Sequence, residues 1–335
     1  MPPRLSVIIP FYNSDPYFAE CLESVAAQDF SDMEVILVDD GSTDDSPEIA
    51  LDFAAQDARF RVLRQSANKG PGSTRNVGLA QSDPRSDYIA FADSDDLLPR
   101  DAYSALVACL DGSGSDFATG NVLRFNSSGF FQFEKYAQVF QQSRKRAHIF
   151  EMPVLAVDRT VWNKVYRRTF WDRHNLLFPE GMLYEDSPVT IPLHYVAKKV
   201  DVVSETVYCW RIREAGELSI TQQRTIRAML DRFSSIDIIR AFLKGRWKKY
   251  GTPFLVSYDR NVLAEELPLF FNELIDASKQ HRLEFMNRAA ILLNNIDPVL
   301  FTELPQSLQA RYAAIEGGRV HELMELLTEN SSHVY

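Results

Sequence analysis

The chain has 335 residues, 45% of them hydrophobic and 24% charged, the profile of an ordinary globular protein with room for one large domain or two. Its 46 acidic residues against 36 basic ones give a net charge of −10, which opposes broad attraction to DNA or RNA and excludes a nucleic-acid partner from the expectation. The three cysteines (Cys21, Cys109, Cys209) form no CxxC pair, so neither a zinc cluster nor a disulfide framework is expected, and no stretch approaches the roughly 18 apolar residues of a membrane span.

Taken in chain order, the opening MPPRLSVIIPFYN lacks the apolar stretch and cleavage site of a signal peptide, and within it Leu5–Ile9 (LSVII) predicts a strand. The expected setting is the reducing cytoplasm, with peripheral contact at the inner face of the plasma membrane compatible with it. Asp15–Gln28 has helical spacing, Glu34–Val38 (EVILV) predicts a second strand, and Asp44–Gln56 a second helix with Ser42 or Thr43 as N-cap. Phe60–Leu63 is a third strand, Ser73–Gln81 a third helix and Tyr88–Ala92 (YIAFA) a fourth strand. Near-continuous apolar strands alternating with helices imply an α/β fold, a buried and mainly parallel sheet with helices on both faces. Ligands of such sheets bind beyond the carboxyl ends of the strands. Polar clusters stand there: Asn13, the pair Asp39-Asp40, and the run Asp93-Ser94-Asp95-Asp96. Further strands are expected at Phe117–Phe125 and Val200–Tyr208. After about Thr221 apolar residues recur at three- and four-residue steps, which predicts a helical domain over 221–335 following an α/β domain over 1–220. Its stripes LPLFFNELI and AAILLNN read first as packed core, and second as a surface for homo-oligomer formation.

Three motifs carry chemistry. In DSDD (Asp93–Asp96), carboxylates two apart at a strand end can share a divalent cation, Mn2+ or Mg2+, although the same residues suit an acidic helix-capping turn. In VDDGSTDDS (Val38–Ser46) a carboxylate can accept a ring N–H of a nucleotide base, while an Asp-Gly turn satisfies the same residues. NKGPGSTRNVGL (Asn68–Leu79) puts glycines before a helix, yet GxGxxG would need glycine where Arg75 stands, and GxxxxGK[ST] occurs nowhere. The dehydrogenase and P-loop readings therefore lose their central feature. Arg75 instead suits contact with nucleotide or diphosphate oxygens.

The ordered combination SVIIPFYN, VDDGSTD, NKGPGSTRN and FADSDD resembles glycosyltransferase family 2 over roughly the first 110 residues. WNKVYRR (Trp162–Arg168) and GMLYEDSPV (Gly181–Val189) extend the likeness toward bacterial enzymes of teichoic acid and capsule synthesis. The helical C-terminal third has no such match. The resemblance implies a GT-A fold and an inverting transfer of a sugar from a nucleotide diphosphate donor, a UDP-sugar above others. The acceptor it implies is a hydroxyl of a cell-surface glycan or a teichoic-acid-like polyol-phosphate polymer. It also implies roles: Pro10 and Tyr12 at the base, Asp40 with Asp39 reading the base edge, and Asn68 and Arg75 completing the nucleoside pocket. Asp93 and Ser94 would lie at the ribose or sugar, Asp95 with Asp93 at the metal. Asp186 would act as catalytic base with Glu185 beside it. Arg211, Arg213 and Ser219, in WRIREAGELSITQQR, would close over the diphosphate.

Two rivals are set against this reading. A sugar-nucleotide or glycan binding module on the same fold would have no need of a base such as Asp186. A nucleotidyltransferase would carry a glycine- and basic-rich N-terminal loop, where this chain has IIPFYN.

Overall fold

The computed structural model describes residues 2–214, 225–245 and 253–328. Two compact units emerge, Met1–Ser219 and Ile220–Tyr335. In the first, β1 (Leu5–Phe11), β2 (Met33–Asp39), β3 (Phe60–Arg64) and β4 (Tyr88–Phe91) alternate with α1 (Phe18–Ala26), α2 (Ser46–Gln56) and α3 (Pro71–Gln81). These strands run parallel in the order β3-β2-β1-β4. All seven residues of β1 are buried, as a β-branched strand covered on both faces requires.

Beyond β4 the sheet changes character. After α4 (Ala102–Ser113) come β5 (Phe117–Asn126), β6 (Gly129–Gln132), β7 (Arg144–Ala147), β8 (Lys164–Arg167) and β9 (Val200–Arg211), with the short helices α5 (Glu134–Ala137) and α6 (Arg168–His174) between them. β8 enters antiparallel between β4 and β5, β5 pairs parallel with β9, and β7 closes the edge antiparallel to β9. The expected α/β sheet with flanking helices stands, but its parallel order holds fully only through β4. Four-residue strands such as KVYR are too short for alternation to reveal them. The expected N-cap of the second helix is also corrected. α2 starts at Ser46 after Asp45, and the Ser42 hydroxyl instead accepts the Asn13 N–H at 3.1 Å, joining two loops.

The inserted strand β8 begins with a buried charge. The Lys164 ammonium, with no solvent exposure, donates to Asp158 Oδ1 (2.7 Å), the Thr160 carbonyl (2.6 Å) and Asn163 Oδ1 (2.8 Å), so all three of its protons are used. Asp158 also accepts from Thr119 Oγ1 at 2.7 Å and Asn163 Nδ2 at 3.1 Å, and His194 Nε2 lies 3.6 Å away. Burial alone would push the Asp158 carboxyl up, but Lys164 and His194 hold it well below the usual carboxylate range.

In the second unit, helices Ile226–Gly245, Pro253–Asn261, Pro268–Ile275, Lys279–Leu293, Gln306–Glu316 and Val320–Thr328 enclose an aromatic core. Phe233 stacks on Phe270 with centroids 5.0 Å apart, and Phe285 packs against both. Leu267, Phe270, Phe271 and Leu274 of LPLFFNELI are buried here, as are Ala289, Leu292 and Leu293 of AAILLNN. These residues form the unit's own core, while Ile291 of the second stripe stays exposed. No helix among the described residues is long and apolar enough to cross a membrane.

Removing one partner of a fully buried ion pair leaves an uncompensated charge. Lys164→Met is expected to cost about 3–5 kcal/mol, and Lys164→Met combined with Asp158→Leu distinctly less than that. Urea unfolding followed by circular dichroism checks both, and an unshifted Lys164→Met midpoint would contradict the assignment.

Candidate active site

The carboxyl ends of β1, β2 and β4 are joined by short polar links. Thr43 N–H donates to Asn13 Oδ1 at 2.8 Å, Ser14 N–H to Ser46 Oγ at 2.8 Å, and the Ser14 and Ser94 hydroxyls lie 2.6 Å apart. Pro10 is buried within β1, while Tyr12, just past the strand end, is 43% exposed and offers a ring face to a ligand. Ser94 is buried and its hydroxyl is committed to Ser14.

Both carboxylates that end β2 are buried, but they face different groups. Asp39 accepts the Ser42 N–H at 2.8 Å and lies 3.2 Å from Arg64, so it braces the turn. Asp40 accepts the Lys69 and Gly70 amides, each at 2.8 Å, and Gln65 Nε2 at 3.0 Å. Burial nonetheless pushes its carboxyl up. Gly70 takes φ +88°, open to glycine at little cost, and this turns its N–H toward Asp40. Asn68 is exposed on the same loop and accepts the Gly70 N–H at 3.1 Å.

Arg75 ties the two acidic motifs together. Its guanidinium is buried, with Nη2 2.6 Å from Asp93 Oδ1 and Nη1 hydrogen-bonded to Glu185 Oε1. The segment bearing Glu185 is pinned to α3 by two bonds between Asn76 and the Phe178 backbone, both 2.9 Å. A Cβ on Gly72 would stand 2.2 Å from the Pro179 carbonyl, so only glycine permits this approach. Where sequence reading expected Arg75 on the nucleotide, its outer nitrogens are already engaged by two carboxylates.

Asp186 is the N-cap of α7 (Ser187–Val196), accepting the Ser187 N–H at 2.8 Å. Pro188 fits the first turn because its missing N–H would have had no intrahelical partner. The Asp186 carboxyl is pushed up to about 7, first by burial and then by the neighbouring Glu185 charge, with Arg75 pulling the other way. A group poised there exchanges protons near neutrality.

Around DSDD, burial also raises Asp95, which Arg213 counters, and raises the fully enclosed Asp96 further, with Asp95 and Asp93 adding to the effect. Arg213 approaches Asp95 Oδ2 through Nε (2.8 Å) and Nη2 (2.7 Å). Arg211 donates from Nε to the Asp95 carbonyl (2.7 Å) and from Nη2 to Glu20 (2.6 Å). The two arginines thus gather at DSDD, while Ser219 lies outside the described residues.

Sequence reading passed over several participants. Tyr208 Oη accepts the Asp93 N–H at 3.0 Å, and Trp162 stacks on Tyr208 at 4.1 Å. Gln65 and Thr74 complete the Asp40 loop. Tyr208 and Trp162 lay inside segments already singled out, but no local pattern says which buried aromatic reaches a motif more than a hundred residues away in the chain.

The family model "Glycosyl transferase family 2" matches residues 6–174. EpsH of Bacillus subtilis (strain 168), which carries a glycosyltransferase name, is 35% identical over 232 residues, 68% of this chain and 66% of its own length. The poly(ribitol-phosphate) beta-N-acetylglucosaminyltransferase TarS of Staphylococcus aureus (strain MW2) is 29% identical over 218 residues, 64% of this chain and 36% of its own. The chain thus spans about two thirds of the length of EpsH and about a third of that of TarS. Among solved structures, S. aureus TarS 1–349 superposes with TM-score 0.78 at 20% identity, covering 99% of this chain and 92% of that one. The Pyrobaculum calidifontis mannosyltransferase PcManGT gives 0.50 at 16%, covering 96% and 88%. These likenesses show the fold.

The raised Asp186 carboxyl has a consequence for stability. A free aspartate titrates near about 3.9, so the stability contributed by the folded-state proton is complete below that pH and is lost as pH rises through about 7. Asp186→Asn keeps the neutral form at every pH. Its melting temperature relative to wild type should therefore be higher at about pH 8.5 than at about pH 5. Scanning fluorimetry reads this, and a pH-independent difference would exclude a raised carboxyl.

Proposed function

Because this chain belongs to glycosyltransferase family 2, we propose that it moves a sugar from a nucleotide diphosphate donor, a UDP-sugar, to a hydroxyl of a cell-surface glycan or polyol-phosphate polymer, with inversion. One observation carries the reading. Arg75 holds Asp93, at the donor motif, and Glu185, beside the candidate base Asp186, in one buried ion-pair system. A binding module has no use for an ionisable carboxyl held near neutrality beside such a system. Support for the donor comes from the relatives: TarS structures are described as complexes with UDP and with UDP-GlcNAc, and PcManGT with GDP-Man and Mn2+.

In this mechanism the base packs on Tyr12, and Asp40 with Asn68 meets its polar edge. Asp186 accepts the proton of the acceptor hydroxyl from the face opposite the leaving diphosphate, which inverts the anomeric centre in one displacement. Glu185 and Arg75 orient the segment that carries it. Arg211 and Arg213 offer planar donors to the diphosphate.

The donor set fits a divalent cation. Asp95 and Asp93 present hard oxygens, and Arg213 on Asp95 already stands in as a counter-charge there. No cluster of three or more acidic, His or Cys ligands exists among the described residues, as expected where phosphate and water complete the shell. Mn2+ or Mg2+ held by Asp95 with Asp93 would neutralise charge on the diphosphate.

Two experiments test the reading. Asp186→Asn should lower kcat at least about 10²-fold, because general-base catalysis contributes on that scale, while UDP affinity by calorimetry stays within about twofold. A near-normal kcat would remove Asp186 as base. Separately, the rise in melting temperature that Mn2+ adds to UDP-saturated protein should vanish in Asp95→Asn, and its persistence would remove Asp95 as ligand.

A further inference from the structure

The mechanism leaves one charge unused. Arg124, near the end of β5, is flanked by two aromatic rings, its guanidinium carbon 3.8 Å from the Phe133 centroid and 4.4 Å from that of Trp210. It makes no hydrogen bond or ion pair with any described residue, and its Nε is buried without a partner. Burial lowers its proton affinity, and no carboxylate acts against that. An arginine held half-buried beside no described carboxylate keeps its charge without a counter-ion. Stacking on two rings offsets part of the desolvation, but a buried donor without an acceptor still carries a penalty. An anion that arrives with the ligand would supply the missing acceptors.

The location says which ligand. Arg124 pairs in register with Trp210 on β9. From Trp210 the packed rings continue inward to Trp162 (5.9 Å) and the fully buried Tyr208 (4.1 Å from Trp162), which bonds the Asp93 amide. Tyr136, packed 5.0 Å from Phe133, has its hydroxyl 3.1 Å from that of Thr160. This is the β5–β9 side of the sheet, removed from Asp40 at the end of β2.

Resting on the transferase reading above, we propose that Arg124, clamped by Phe133 and Trp210, is an acceptor subsite that binds a phosphodiester of a polyol-phosphate chain while the rings carry its carbon skeleton. Arginine offers two parallel N–H donors to two phosphate oxygens, and the flanking rings hold the guanidinium plane in place. A neutral glycan would leave the charge unanswered.

Calorimetric titrations of the full chain with UDP, a synthetic ribitol-phosphate hexamer, a neutral hexasaccharide and phosphatidylglycerol vesicles test this. Arg124→Gln should weaken hexamer binding at least tenfold, the scale of one charge-assisted hydrogen bond, and leave UDP binding within twofold. Arg124→Lys, which keeps the charge but not the fork, should fall between. Phe133→Leu, which loosens the clamp and leaves the arginine, should weaken the hexamer at least threefold. Raising the salt should weaken the hexamer less in Arg124→Gln than in wild type. Hexamer affinity unchanged in Arg124→Gln, or a neutral hexasaccharide bound as well as the hexamer and weakened equally, would overturn the subsite. So would a loss confined to phosphatidylglycerol vesicles, which would make Arg124 a membrane contact. Wild type that fails to bind UDP would overturn the transferase reading and the acceptor subsite with it.

Discussion

Arg75 holds the site together by being buried between carboxylates that the chain delivers from far apart. Asp93 arrives at the end of a parallel strand, Glu185 on a segment that follows the antiparallel part of the sheet, and one guanidinium is shared by both. Such an arrangement is costly to break, because each partner removed strands a charge away from water. Its geometry depends on close packing elsewhere: Gly72 lets α3 approach Pro179, and Asn76 clips Phe178 from both sides. The position of Asp186 then follows from its being next in the chain and first at the start of α7.

The same cluster explains the electrostatics. Asp93, Asp95, Asp96, Glu185 and Asp186 are gathered with Arg75, Arg211 and Arg213, so negative charge is in excess. In a poorly solvated site an excess of like charge raises proton affinity, which is the direction seen at Asp95, Asp96 and Asp186. Arg75, Arg211 and Arg213 offset only part of that excess.

The two halves of the sheet are held in different ways. The parallel half ends in short loops tied to one another by Asn13, Ser14 and Ser46. The other half is stiffened from within by Lys164 and Asp158, whose helix-bound neighbour His194 belongs to α7, the helix that Asp186 caps. Thr190 of α7 bonds the Arg159 carbonyl, one residue from Asp158, so Asp186 caps a helix anchored to that buried pair. The packed rings between Tyr208 and Arg124 lie on this half as well.

Local sequence determined a good deal. Apolar β-branched runs fix strands wherever a sheet is buried on both faces, so β1 to β4 and the polar groups at their ends were legible. The acidic motifs and the order in which they occur pointed to the family before any coordinate. What remained hidden was decided by contact between distant segments. Nothing near Arg75 says that its partners are Asp93 and Glu185 rather than a phosphate, because the pairing depends on where α3 packs. Nothing in KVYR says that it inserts antiparallel beside β4, since four residues hold too little pattern. The stripe LPLFFNELI shows an apolar face but not what covers it, and the fold covers it with Phe233 and Phe285. Arg124 reads locally as one more surface cation; only the packing of Phe133 and Trp210 around it strips away its water and leaves it without a counter-charge. Burial patterns are written in short stretches of chain, whereas the pairing of charges is a property of the folded whole.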